Sequence, residues 1–154
     1  MVNSPGPGHI ALRRGRFSQE QGIYFITSNT YQRIPLFRDW SVARTMCRMM
    51  EDETFLSSAN NLCWVVMPDH LHMLLQLSAT SLSQVLKRFK ARSAHKLNRV
   101  LHRGGPVWSP GFYDHALRKE EDVLGVARYI VANPLRAGLV SRITDYPYWN
   151  ASWL

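Results

Sequence analysis

The segment MPDHLHMLLQL, residues 67–77, decides how this chain folds. Side chains alternate faces along a strand, so Leu71, Met73, Leu75 and Leu77 point one way while His70, His72, Leu74 and Gln76 point the other. The first set is a core face. The second carries two imidazoles ~6–7 Å apart at the rise of an extended chain, from which both rings can lean toward one ion. Pro68-Asp69 is a turn pair, and LCWVVMP before it (62–68) is itself rich in strand formers. The two runs therefore predict an antiparallel hairpin, with the histidines just past the turn near a strand end that solvent can reach.

On either side of the hairpin the pattern alternates between strand and helix. GIYFITSNTY (22–31) is dense in β-branched and aromatic residues and predicts a first strand. A helix follows from near Trp40, with Val42, Met46, Met49 and Met50 as an apolar stripe that belongs to the core. Beyond the hairpin, Ser81 followed by Gln84 is a capping-box signature. Leu86, Phe89, Ala94, Leu97 and Leu101 then recur at helical spacing for about five turns.

RGGPVWSPGFYDHALRK (103–119) is a turn-rich loop whose Trp108, Phe112 and Tyr113 would either stack bases or fill the core, followed by a short strand around 115–119. EEDVLGVARYIVANP opens with acids that suit a helix N-terminus and stops at Pro134, which predicts a helix over 120–133. Val123, Ala127, Ile130 and Val131 give it a packing side. Gly125, Tyr129 and Asn133 recur at i, i+4 and i+8 on another side. A glycine inside a helix costs about 1 kcal/mol against alanine, so Gly125 suggests a close approach along that second side.

The order strand, helix, strand, strand, helix, strand, helix is that of an α+β fold. It predicts a ferredoxin-like antiparallel sheet with helices packed on it and an added C-terminal helix bearing Tyr129. With 154 residues, 45% of them hydrophobic, residues 17–154 suit a single domain. Residues 1–16, rich in Gly and Pro and ending in Arg13, Arg14 and Arg16, read as a flexible basic arm. No apolar run suits a membrane span or a signal peptide, so a cytoplasmic, nucleoid-associated location is expected. Cys47 and Cys63 sit inside apolar patterns and read as buried free thiols.

A formal charge of +8 and a pI near 10.0 draw polyanions, nucleic acid first among them. The charge is concentrated. Lys87, Arg88, Lys90, Arg92, Lys96 and Arg99 line the long helix, and no acid occurs between His70 and Tyr113. An unrelieved basic helix repels itself, and a bound polyanion would offset that cost. These six residues, with Arg13, Arg14 and Arg16, form the expected DNA-binding set.

Taken singly, His70 and His72 could be ordinary half-buried histidines, Tyr129 a half-buried aromatic and Asn133 a helix-end residue. Together they offer two ring nitrogens, a phenol and a carboxamide oxygen, a set suited to Lewis-acid activation of a phosphodiester and attack by the phenol. VMPDHLHMLLQL resembles the His-hydrophobic-His motif of the single-tyrosine HUH transposases. ARYIVANPLRAGLV resembles their tyrosine helix, above all in the REP-associated tyrosine transposases. The similarity runs from about Gly22 through FKARSAHKLN and VWSPGFYDHALR to YPYWNASWL.

The resemblance implies a metal-dependent endonuclease and strand transferase. Such an enzyme cleaves single-stranded DNA near hairpins through a covalent 5′-phosphotyrosine link, leaving a free 3′-OH that can reverse the reaction. Carried over, His70 and His72 are metal ligands, Tyr129 is the nucleophile and Asn133 stands where relatives put a polar third ligand, some of them Gln. The implied cofactor is Mg²⁺ or Mn²⁺, and imidazole and amide donors favour Mn²⁺ by ligand type. The implied partner is single-stranded DNA with hairpin structure, bound by a monomer or a homodimer, with Tyr129 acting within its own subunit or across to another. Two alternatives use the same residues differently: a hairpin-binding protein of this fold that does not cleave, and a hydrolase in which water attacks and Tyr129 is a bystander.

Overall fold

Five strands pair in the order β4-β1-β3-β2-β5, every neighbouring pair antiparallel. They are β1 (Ile23–Asn29), β2 (Ala59–Met67), β3 (His70–Leu77), β4 (Tyr113–Ala116) and β5 (Trp149–Ala151). The helices are α1 (Trp40–Glu51), α2 (Leu82–Val100), α3 (Val123–Val131) and the single turn α4 (Asn133–Arg136). This computed structural model describes residues 22–56, 58–118 and 122–153, so the 1–16 arm with Arg13, Arg14 and Arg16 lies outside the described residues.

The strand order is the ferredoxin-like one with β5 added beside β2. β5 is absent from the sequence-based expectation because three residues, WNA, carry too little alternation to register as a strand. Among the described residues, no helix is long and apolar enough to cross a membrane.

Alternation along β3 assigns the two faces as expected. Leu71, Met73, Leu75 and Leu77 enter a core shared with Val42, Met46, Met49 and Met50 of α1 and with Leu86, Phe89 and Leu97 of α2. Both long helices therefore cover one face, each buried aliphatic or aromatic side chain contributing roughly 1.5–3 kcal/mol. On the opposite face Leu74 packs with Cys63, Val65 and Met67 of β2 and with Ala127, Ile130 and Val131 of α3. His70 and His72 belong to this second face. Both cysteines are buried free thiols, and burial pushes each up to about 12.

Helix ends follow local chemistry. Asp39 caps α1 by accepting from the N–H groups of Ser41 and Val42, and Ser81 caps α2 by accepting from that of Gln84. Trp108 is core rather than a base platform: its Nε1 donates to Ser93 Oγ at 2.9 Å, and its ring meets those of Phe37 and Phe89. The strand expected around 115–119 begins two residues earlier, at Tyr113.

The helix expected over 120–133 is shorter and broken. Pro134 has no N–H, and its ring crowds the carbonyl four residues back, so α3 ends at Val131 and α4 starts afresh at Asn133. Tyr129 and Asn133 thus stand on successive helices. The close neighbour of Gly125 is its own helix cap: a Cβ there would lie 2.8 Å from Oδ2 of Asp122, whose Oδ1 accepts from the Leu124 N–H. The approach inferred from Gly125 is internal to the helix.

Candidate active site

The register of the sheet sets the two histidines. His70 pairs with Asn29 of β1 and Met67 of β2, and His72 with Thr27 and Val65. Their ring centroids are 4.7 Å apart at 76°. Each Nδ1 already has a partner: Asp69 Oδ1 at 2.8 Å for His70, Thr27 Oγ1 at 2.8 Å for His72. Ionised Asp69 can only accept, so Nδ1–H of His70 donates and its Nε2 lone pair remains for a ligand; the Thr27 hydroxyl can also accept, which lets His72 take the same tautomer, the arrangement that orients metal-binding histidines.

Asp69 is itself held. Its other oxygen accepts from Arg33 Nε at 2.9 Å, and its carbonyl accepts from Thr30 N–H at 3.0 Å. Arg33 comes from a tight turn in which Gln32 and Arg33 both take positive φ, 53° and 55°. Neither is glycine, so the turn stores strain beside the site. The Thr30 hydroxyl, its one proton within reach of both the Ile34 carbonyl (2.7 Å) and the Asp69 carbonyl (3.0 Å), holds it shut.

Burial lowers the pKa of both histidines, and for His72 the nearby charges of His70, Arg136 and Arg33 add to it, to about 3. Asp69 partly opposes the shift at His70. Both rings are therefore neutral near pH 7, the state in which imidazole can ligate. Burial acts to raise the Asp69 carboxyl, but the hydrogen bonds and charges of Arg33 and His70 outweigh it and hold the group ionised.

Tyr129 stands on α3 with its side turned outward, 55% exposed, while Ala127, Ile130 and Val131 bury the helix against the sheet. Phe25 of β1 joins it to the histidines. The Phe25 ring is edge-on to His72 at 5.4 Å and tilted against Tyr129 at 6.2 Å. Arg136 of α4 covers Tyr129, its Cζ 3.8 Å from the ring centroid. Asn133 is half-buried at the start of α4.

Among the described residues no three His, Cys, Asp or Glu side chains converge as a metal site. A third donor to an ion held by the two rings would have to be of another type, and the carboxamide of Asn133 has a rival in Asn29, which the sheet register sets beside His70 on the same face. Tyr113 shares that face too, aligned through Thr27 with His72. Sequence reading missed Asn29, Thr27, Phe25, Arg33 and Arg136. The signal for the first three was the alternation of IYFITSN, which becomes informative once its register against β3 is known.

The basic helix divides. Lys87 and Arg88 are exposed, but Lys90 Nζ donates to the carbonyls of Ser109 (2.9 Å) and Gly111, and Arg92 donates to the Phe55 carbonyl at 2.8 Å while covering that ring. Lys96 and Arg99 face α1 across a shallow cleft shared with Thr45, Arg48 and Asp52. All six stand on the helix that packs on the far face of the sheet from His70 and His72. A cavity of about 660 Å³ at the other end of β2 is rimmed by Glu51, Asp52 and Glu53, which makes it a poor seat for phosphate.

Comparison with known proteins identifies the family. The family model described as "Transposase IS200 like" matches residues 19–133. The REP-associated tyrosine transposase of Escherichia coli (strain K12) is 27% identical over 138 residues, covering 86% of this chain and 78% of that protein. The solved structure of a REP-associated tyrosine transposase bound to a REP hairpin superposes with a TM-score of 0.67 at 24% identity, covering 87% of this chain and 79% of the other, and so shares the fold. The hairpin of strands bearing His70 and His72, and the helix bearing Tyr129, both fall inside the matched residues: the chain belongs to the IS200-like transposase family and is similar to its REP-associated tyrosine transposases.

Proposed function

We propose that this protein cleaves and rejoins single-stranded DNA beside hairpins, with Tyr129 as the nucleophile and His70 and His72 as ligands of a divalent cation. The observation that carries the reading is the continuous ring contact from His70 through His72 and Phe25 to Tyr129, with each Nδ1 tied back and each Nε2 left over. Two neutral imidazoles fit Mn²⁺ or Mg²⁺ together with an amide oxygen, from Asn133 or Asn29, and the softer Mn²⁺ suits them better. Bound there, the cation would act as a Lewis acid on a phosphate oxygen.

The remaining chemistry belongs to the chain. The Tyr129 oxygen attacks phosphorus, the bond from phosphorus to the 3′ oxygen breaks, and the proton given up by the phenol reappears on the released 3′-OH. The 5′ phosphate stays on Tyr129, and no water is consumed, so the free 3′-OH can reverse the step. Asp69 fixes the tautomer of His70, and Arg33 keeps Asp69 ionised. The hairpin named for the structural relative supports a hairpin-bearing strand as substrate.

The test is a denaturing gel with a labelled hairpin oligonucleotide carrying a single-stranded flank and Mn²⁺. A covalent protein–DNA band should form with wild type and vanish in Tyr129→Phe, in His70→Ala and in EDTA, with hairpin affinity kept within a few-fold. Tyr129 is largely exposed, so losing its oxygen should change stability by under about 0.5 kcal/mol. Tyr113→Phe should retain the band, and loss of the band there alone would move the nucleophile to β4. Cleaved DNA without a band would favour water as the attacking group, and binding without product would favour a non-cleaving hairpin protein.

A further inference from the structure

We infer that Arg136 is the positioning residue that holds Tyr129 for attack, an inference that rests on Tyr129 being the nucleophile. One side chain makes two contacts to the same residue. Nη2 donates to the Tyr129 carbonyl at 2.6 Å, and the guanidinium lies over the phenol ring with Cζ 3.8 Å from its centroid. The first contact exists because the helix breaks. The helix stops at Val131, so the Tyr129 carbonyl lies in its last turn, where carbonyls lack the N–H donors of a following turn, and Arg136 reaches back seven residues from α4 to take it.

The second contact does what the sheet does not. Tyr129 is 55% exposed, with Phe25 as its ring neighbour on the sheet at 6.2 Å. An exposed aromatic on a helix surface exchanges rotamers within nanoseconds, and an attacking atom displaced by about 1 Å loses on the order of 100-fold in rate. A guanidinium anchored through its own hydrogen bond to the backbone and stacked on the ring removes that freedom.

A plain capping role for Arg136 makes a different prediction. Lysine supplies a cation and a donor for the last carbonyls of a helix, whereas only arginine has a planar group that can donate and stack together. The experiment compares wild type, Arg136→Ala and Arg136→Lys by single-turnover adduct formation with Mn²⁺. Each protein is also labelled with 3-fluorotyrosine, and its metal-free ¹⁹F spectrum is recorded, the Tyr129 signal being assigned by its absence in Tyr129→Phe. Both substitutions should slow adduct formation by about 10–100-fold. Both should also shift and narrow the Tyr129 signal toward that of a freely rotating ring, with Mn²⁺ and hairpin affinities within a few-fold of wild type. A normal rate or an unchanged ¹⁹F signal in Arg136→Lys overturns the clamp alone. Absence of any adduct in wild type overturns the nucleophile reading and this inference with it.

Discussion

Lowering the pH from 7 to 5 should destabilise this protein through His72, ahead of the protonation of its carboxylates. In the folded state the His72 pKa is lowered to about 3, chiefly by burial, while in the unfolded chain it returns to the ordinary 6.5. A lowered histidine pKa means that the unfolded state binds the proton more readily. The contribution of His72 is therefore complete above about pH 6.5 and is lost progressively as pH falls toward about 3. Between pH 7 and pH 5 the unfolded state gains about 1.5 units of protonation free energy that the folded state does not share, or about 2 kcal/mol at 1.36 kcal/mol per unit. His70 adds in the same direction, with Asp69 working against it. The Asp69 carboxyl, held below its usual range, matters only further down the scale.

The assay is urea unfolding in EDTA at pH 7 and pH 5, for wild type and for His72→Gln, whose amide can still hydrogen-bond Thr27 but does not titrate. Wild type should lose about 2 kcal/mol or somewhat more, and His72→Gln about 2 kcal/mol less than wild type does. Equal losses in the two proteins would mean that His72 is hydrated in the folded state, and the account of a dry, neutral ligand ring would fall with it.

Two further outcomes test how the helices are used. Trp108→Phe removes the hydrogen bond to Ser93 and part of a buried ring, and should lower stability by about 2–3 kcal/mol, read from the urea midpoint at unchanged slope. Replacing exposed Lys87 and Arg88 together by Ala should reduce the salt dependence of DNA binding by up to ~0.9 log units per lost phosphate contact, whereas Lys90→Ala should leave that slope unchanged and destabilise the 109–111 loop whose carbonyls it satisfies. An unaltered slope in the double variant would reduce that face to a solvated surface.

What the sequence settles by itself is local and periodic. The alternation of HLHMLLQL sorts core from site because a strand turns its side chains every second residue, and the spacing of the Met and Leu stripes finds α1 and α2 because a helix repeats within four. The resemblance carried by the His-hydrophobic-His strand and the Tyr129 helix adds the family, which comparison bears out. The tertiary structure decides what depends on residues far apart in the chain. Thr27 meets His72 across 45 positions and Arg33 meets Asp69 across 36, pairings fixed by sheet register and loop packing rather than by any nearby pattern. It also decides the fate of the basic helix: a run of cations is the same string whether it faces solvent or a carbonyl, and only packing turns Lys90 and Arg92 toward the loops and puts the whole helix across the sheet from the histidines. The break before Pro134 is legible as a boundary, but that it sends Arg136 back over Tyr129 follows from the direction in which the chain leaves the helix, which no periodicity encodes.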